Sequence, residues 1–136
     1  MKKIKMIGLD LDGTLLNSKK EVTDHTKSVL EEAIAQGIIV LVATGRPLTG
    51  IPGQVRAIQG MQYALTTNGA RIYDLIHEKT ILSHPVPYEK GKKALEITEK
   101  YDTLQEAYFD REVYAQENQL QEICLLYTSD AADDMQ

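Results

Sequence analysis

The sequence predicts an α/β protein: the N-terminal half of a three-layer, doubly wound parallel sheet, followed by the start of a smaller α+β unit. Three observations carry this reading. Two apolar runs, Ile4 to Leu9 and Ile38 to Ala43, are nearly continuous, as strands buried on both faces are. An amphipathic helical stretch separates them, and a further strand-like run, Tyr63 to Thr67, follows. Turn-forming residues stand where elements must end: Gly13, Gly37 and Asn68-Gly69.

In chain order, the first strand is expected over about Lys3 to Leu9 and ends in the acidic turn Asp10-Leu11-Asp12-Gly13-Thr14. After a short polar excursion, Thr23 caps a helix running to about Gln36. Its Val22, Thr26, Val29, Leu30, Ala33 and Ile34 share one face, and Gly37 stops it. The β-branched run Ile38 to Ala43 is the second strand. Thr44-Gly45-Arg46-Pro47 then turns the chain into a second helix, about Leu48 to Ile58. The third strand ends at Asn68-Gly69. Two hairpins are expected, Ala70–Leu75 with Thr80–His84 and Leu104–Phe109 with Glu112–Ala115, with a helix from about Pro87 to Tyr101 between them. The expected division is 1–82 for the sheet domain and 83–123 for an incomplete α+β unit.

At 136 residues the chain is long enough for one domain with a core, and 43% hydrophobic with 26% charged residues is an ordinary globular balance. A net charge of −5 without a basic stripe argues against nucleic acid as the main partner. No apolar run reaches membrane-span length, and the run after the N-terminal lysines is too short for a signal peptide. One cysteine allows no internal disulfide, which fits a cytoplasmic location. Residues 124–136 stand apart. Cys124 to Asp134 resembles the translation of a transposase adapter used in sequencing libraries, so the reading frame is expected to leave the gene near Ile123.

Strand, helix, strand, helix, strand implies right-handed crossovers and a parallel sheet, whose ligands bind at the carboxyl ends of the strands. Asp10, Thr44 and Asn68 fall at those three ends and converge on one rim. A carboxylate at such a position is costly to desolvate unless a cation, a partner or a chemical task accompanies it. Each residue also has a plainer reading. Asp10 and Asp12 could be turn residues, Thr44-Gly45 a strand-to-helix turn, Asn68-Gly69 a common turn pair, and Arg46 a solvated surface residue. A calcium loop of the EF-hand kind is excluded. It needs glycine at its sixth position, where Leu15 stands, and a helix rather than a strand in front. His25, His77 and His84 lack ligand spacing.

Asp10-Leu11-Asp12-Gly13-Thr14 after an apolar strand resembles the first motif of the haloacid dehalogenase-like phosphatases. Thr44-Gly45-Arg46 resembles their second motif, and Thr67-Asn68-Gly69-Ala70 is similar to a segment of the Cof-type sugar-phosphatase branch. The resemblance covers residues 1 to about 123 and implies a haloacid dehalogenase-like, Rossmannoid core. It implies Asp10 as nucleophile forming an aspartyl-phosphate and Asp12 as general acid and base. It also implies Mg²⁺ held by Asp10 and by the backbone carbonyl of Asp12. Leu11, Thr44, Gly45 and Asn68 would bind the phosphate, and Arg46 would contact the substrate or a closing cap. Aspartate rather than threonine at position 12 favours turnover over a lasting phosphoenzyme, as ion pumps need.

Only 31 residues lie between Asp12 and Thr44, too few for a cap there, so the cap would enter after Asn68. The family's downstream lysine and acidic pair are not recognisable in this chain. The first strand is then expected as an exposed apolar edge, and the chain is expected to fold poorly and to lack activity. The implied substrate is a small phosphorylated metabolite, foremost a sugar phosphate. A phosphomannomutase-like mutase and a non-catalytic phosphate-binding fragment are the alternatives. Oligomeric state is not legible.

Overall fold

A computed structural model describes residues 3–109 and 112–119. The segment 124–136, expected to be non-native, lies outside these residues. The chain divides into two compact units, Met1–Ser83 and His84–Gln136.

The first unit is built on one five-stranded sheet in the order β1-β2-β3-β4-β5. β1 (Met6–Leu9), β2 (Ile39–Ala43) and β3 (Tyr63–Thr66) run parallel, with Leu9 beside Val42 and Val42 beside Ala64. β4 (Arg71–Asp74) and β5 (Lys79–Ser83) form the expected hairpin, which joins the same sheet antiparallel to β3. Helix α1 (Asp24–Ala35) starts where expected, because the Thr23 hydroxyl accepts from the Thr26 N–H at 3.2 Å. It ends at Gln36, with Gly37 at φ +85° turning the chain toward β2.

The expected helix over Leu48–Ile58 does not form as one element. A 3₁₀ turn, Leu48–Gly50, is followed by a single helical turn, α2 (Gly53–Arg56). Pro52 lacks an N–H and cannot sit inside a helix, and Gly50 and Gly53 on either side weaken it further. The apolar face is nevertheless used: Ile51, Val55 and Ile58 are buried with Leu30 of α1 against Val40, Val42 and Ala64.

That core occupies one face of the sheet. On the other, Met6 is 54% and Ile39 39% exposed, and Leu41, Leu65 and Ile72 are half-buried. β1 pairs only with β2 among the described residues, so it is an edge strand, with Ile4 beside it 70% exposed. Parallel strands are ordinarily covered on both faces, and among the described residues this apolar edge is not. The second unit contains α3 (Tyr88–Thr98) and a hairpin of β6 (Glu106–Phe109) and β7 (Glu112–Ala115), with Phe109 and Tyr114 edge to face.

Two polar groups buried beside the core generate predictions. Asp74 closes the β4–β5 turn: Oδ1 accepts from the N–H groups of Ile76 and His77, and Oδ2 lies 2.9 Å from His77 Nδ1. The His77 backbone bond above all holds the Asp74 carboxyl down to about 2, against the opposing effect of burial. A carboxyl with a depressed folded-state pKa stabilises fully above its unfolded value, about 3.9, and loses that contribution as pH falls toward the folded value. Asp74→Asn is therefore expected to lower Tm at pH 7 and to flatten its decline between about pH 4 and pH 2. An acid limb unchanged by the substitution would contradict this.

Thr66 is wholly buried, and its hydroxyl has no hydrogen-bond partner among the described residues. The isosteric Thr66→Val is expected to raise unfolding stability by about 1 kcal/mol in urea titration. A comparable loss would mean that the hydroxyl has a partner.

Candidate active site

The acidic turn after β1 is held from below. Leu15 N–H donates to Asp10 C=O at 3.1 Å and Leu16 N–H to Leu11 C=O at 2.9 Å. The side chains of Leu11, Leu15 and Leu16 are buried in the core, while Asp10 is exposed and Asp12 half-buried. Burying three leucines of one tight turn leaves the intervening carboxylates at the surface. With its side chain fully buried, Leu11 can offer a ligand only its backbone. Gly13, at φ +72°, takes a conformation that would strain any residue with a Cβ.

The other two strand ends are fastened to each other through backbone. Thr44 N–H donates to Leu65 C=O at 2.9 Å, Thr67 N–H to Arg46 C=O at 3.0 Å, and Asn68 N–H to Thr44 C=O at 3.3 Å. Thr67 and Asn68 both adopt left-handed backbone, φ +54° and +53°. Asparagine tolerates this, but a β-branched threonine does so at a cost of about 1–3 kcal/mol. The Asn68 side chain lies against Gly45, where an added Cβ would stand 2.9 Å from Oδ1. Thr44 is buried, and its hydroxyl accepts from the Arg46 N–H at 3.2 Å, leaving its own proton for another acceptor.

Arg46 joins the two halves of the rim. Its Nε donates to Asp12 Oδ2 at 2.8 Å and its Nη2 to Oδ1 at 2.7 Å, while Nη1 donates to Gly50 C=O at 3.1 Å. Such a two-pronged pair is the strong form of a guanidinium–carboxylate contact. These bonds hold the Asp12 carboxyl below its ordinary range; partial burial opposes them, and Lys20 adds to them. Arg46, expected to contact the substrate or a cap, is bonded in this structure to Asp12 and to the Gly50 carbonyl.

Lys20 and Gln54 enter the site without a signal from spacing or motif. Lys20 Nζ lies 3.4 Å from Asp12 Oδ1, and Lys20 has left-handed backbone at φ +59°. Its N–H donates to Asn17 C=O at 2.8 Å, and its carbonyl accepts from Gln54 Nε2 at 2.6 Å. Gln54 Oε1 also accepts from the Val22 N–H at 3.2 Å, so one amide clamps the loop at two points.

The oxygen donors suit a hard cation. The exposed Asp10 carboxylate makes no hydrogen bond or ion pair among the described residues, and Asp12, its carboxylate held by Arg46, retains a backbone carbonyl. Such sparse donors fit Mg²⁺, which keeps several waters and one or two carboxylates. Among the described residues no group of three or more His, Cys, Asp or Glu is placed to hold a metal ion. No described helix is long and apolar enough to cross a membrane.

The chain is similar to known proteins. Residues 7–134 match a family described as haloacid dehalogenase-like hydrolase. Bacillus subtilis phosphatase YwpJ is 38% identical over 82 residues, covering 57% of this chain and 29% of that protein. Escherichia coli pyridoxal phosphate phosphatase YbhA is 33% identical over 98 residues, covering 71% and 36%. A solved haloacid dehalogenase-like hydrolase from B. subtilis superposes with a TM-score of 0.76 at 27% identity, covering 94% of this chain and 46% of the other. The chain thus spans about a third of the length of these curated relatives and about half of that solved structure.

The contact between Gly45 and Asn68 makes a direct prediction. Gly45→Ala is expected to destabilise by no more than about 1 kcal/mol in urea titration, since the exposed Asn68 amide can swing aside. Adding Asn68→Gly, which accepts the left-handed backbone and removes the obstructing amide, is expected to recover most of the loss. Failure to recover would place the strain of Gly45→Ala elsewhere.

Proposed function

The chain belongs to the haloacid dehalogenase-like hydrolases, and from that membership we propose that its rim carries out Mg²⁺-dependent hydrolysis of small phosphorylated metabolites, sugar phosphates foremost. The observation that carries this reading is the exposed, uncommitted carboxylate of Asp10 beside a second carboxylate fixed by a guanidinium fork.

In this reading an Asp10 oxygen attacks phosphorus, the bond to the leaving oxygen breaks, and that oxygen takes a proton from Asp12. The aspartyl-phosphate is then opened by water, whose proton passes to Asp12 as the P–O bond to Asp10 breaks, freeing phosphate and the Asp10 carboxylate. The two transfers ask opposite things of Asp12. The Arg46 fork favours the carboxylate that receives a proton and opposes the acid that gives one, so Asp12 leaves the fork to act as acid. Mg²⁺, held by the Asp10 carboxylate and the Asp12 carbonyl, would offset charge on the phosphoryl oxygens. The Thr44 hydroxyl, the Leu11 and Gly45 backbone and the Asn68 amide supply phosphate donors. Residues from about 83 onward would begin the cap domain.

A second reading is phosphate binding without turnover, for which the Thr44 hydroxyl keeps its proton free to donate. The two separate by assay. The 136-residue chain alone is expected to release no measurable phosphate from p-nitrophenyl phosphate with Mg²⁺. Grafting residues 1–82 into YwpJ in place of its matching segment is expected to give an active phosphatase. Asp10→Asn in that chimera should lower kcat by at least about 10³-fold. A chimera indifferent to Asp10→Asn would overturn the nucleophile assignment.

A further inference from the structure

The carbonyl that anchors Arg46 is available because a helix breaks. In a continuous helix over Leu48–Ile58, Gly50 C=O would accept from the N–H four residues on, that of Gln54. Here Ile51 (φ −77°, ψ 120°) and Pro52 (φ −57°, ψ 143°) are extended, so the turn at Leu48–Gly50 ends and α2 restarts at Gly53. Gly50 C=O accepts instead from Arg46 Nη1 at 3.1 Å. Gly50 also makes room for the arginine stem. A Cβ added there would stand 3.3 Å from Arg46 Cβ and 3.7 Å from Arg46 Cδ, so a larger residue would press on the stem.

Arg46 is therefore held along its whole length by groups other than Asp12. Its N–H donates to Thr44 Oγ1 at 3.2 Å and its C=O accepts from Thr67 N–H at 3.0 Å, while the stem lies on Gly50 and Nη1 on the Gly50 carbonyl. The side chain is only 20% exposed. This seat aims the edge formed by Nε and Nη2, and both nitrogens donate to Asp12, at 2.8 and 2.7 Å. A planar fork fixes the plane of the carboxylate it grips. Lys20 Nζ, 3.4 Å from Oδ1, adds attraction but no plane. Without the fork the Asp12 carboxylate would spread over its staggered rotamers, and misplacing a reacting group by about 1 Å can cost about 100-fold in rate.

We propose that Arg46 is a positioning residue: seated on Gly50, it fixes the plane of the Asp12 carboxylate and does not bind the substrate. The proposal rests on the reading of Asp12 as the group that receives the proton of the attacking water, the transfer made with the carboxylate in the fork. It also gives the interruption at Ile51-Pro52 a part in the site, as the source of the carbonyl on which the guanidinium is set.

The first test needs no activity. In heteronuclear NMR of the full 136-residue chain, the Arg46 Nε–H is expected to exchange slowly with water, as a held donor does. Gly50→Val is expected to speed that exchange at least about tenfold although Asp12 is still present, with circular dichroism confirming that the fold survives. An Nε–H unprotected in the unsubstituted chain, or unmoved by Gly50→Val, would overturn the proposal. The second test uses the YwpJ chimera carrying residues 1–82 and p-nitrophenyl phosphate. Arg46→Lys and Arg46→Met are both expected to lower kcat at least about tenfold, with KM kept within about threefold. A raised KM with kcat kept would make Arg46 a substrate contact, and full activity in Arg46→Lys would reduce its part to charge. Either result overturns the proposal and leaves the phosphatase reading intact. A chimera indifferent to Asp10→Asn would overturn that reading instead, whatever the exchange rates show of the seat.

Discussion

Parallel pairing of β1, β2 and β3 is the constraint on which the site depends. Because the three strands run the same way, their carboxyl ends share one rim, on which Asp10, Thr44 and Asn68 stand although they are far apart in sequence. Pairing alone would leave the loops beyond the strands independent. Backbone bonds from Thr67 to Arg46 and from Asn68 to Thr44 remove that freedom, and the Arg46 fork ties the pair to the acidic turn. The rim is thereby cross-linked in sequence: β3 to β2 through backbone, β2 to β1 through one side chain.

This arrangement gives Arg46 a different weight from the one a surface arginine would have. Three of its nitrogens are engaged, so it is fixed as firmly as the carboxylate it holds. A lysine in its place could not reproduce the planar fork. The local strain at Thr67 and the close approach of Asn68 to Gly45 belong to the same scheme, since both bring the third strand end over the second. Strain of this kind concentrates where geometry matters more than stability.

Much of the fold was legible because it rests on local signals. The two apolar runs became β2 and, in shortened form, β1; Thr23 and Gly37 bracket α1; and both hairpins sit within their expected ranges. The helix expected over Leu48–Ile58 broke because its apolar spacing was helical while Pro52 and two glycines forbade continuity. In the site, residue types at the strand ends announced Asp10, Asp12, Thr44 and Asn68. The partner of Arg46 was not legible, since it depends on where a turn aims a long side chain. Lys20 was hidden for the same reason. Its place follows from a left-handed turn gripped by a glutamine 34 residues away, and no sequence period encodes that.

The sheet face bearing Met6 and Ile39 has a thermodynamic consequence. The heat-capacity change of unfolding arises chiefly from apolar surface that is dry when folded and wet when unfolded. Apolar surface already wet in the folded molecule adds nothing to it. With Met6, Ile39 and the β1 edge exposed among the described residues, the first unit would have a smaller heat-capacity change than its apolar content suggests. Its stability curve would be correspondingly broad and shallow, so cooling would do little to rescue it and a ligand that covers the face would steepen the curve as well as raise it.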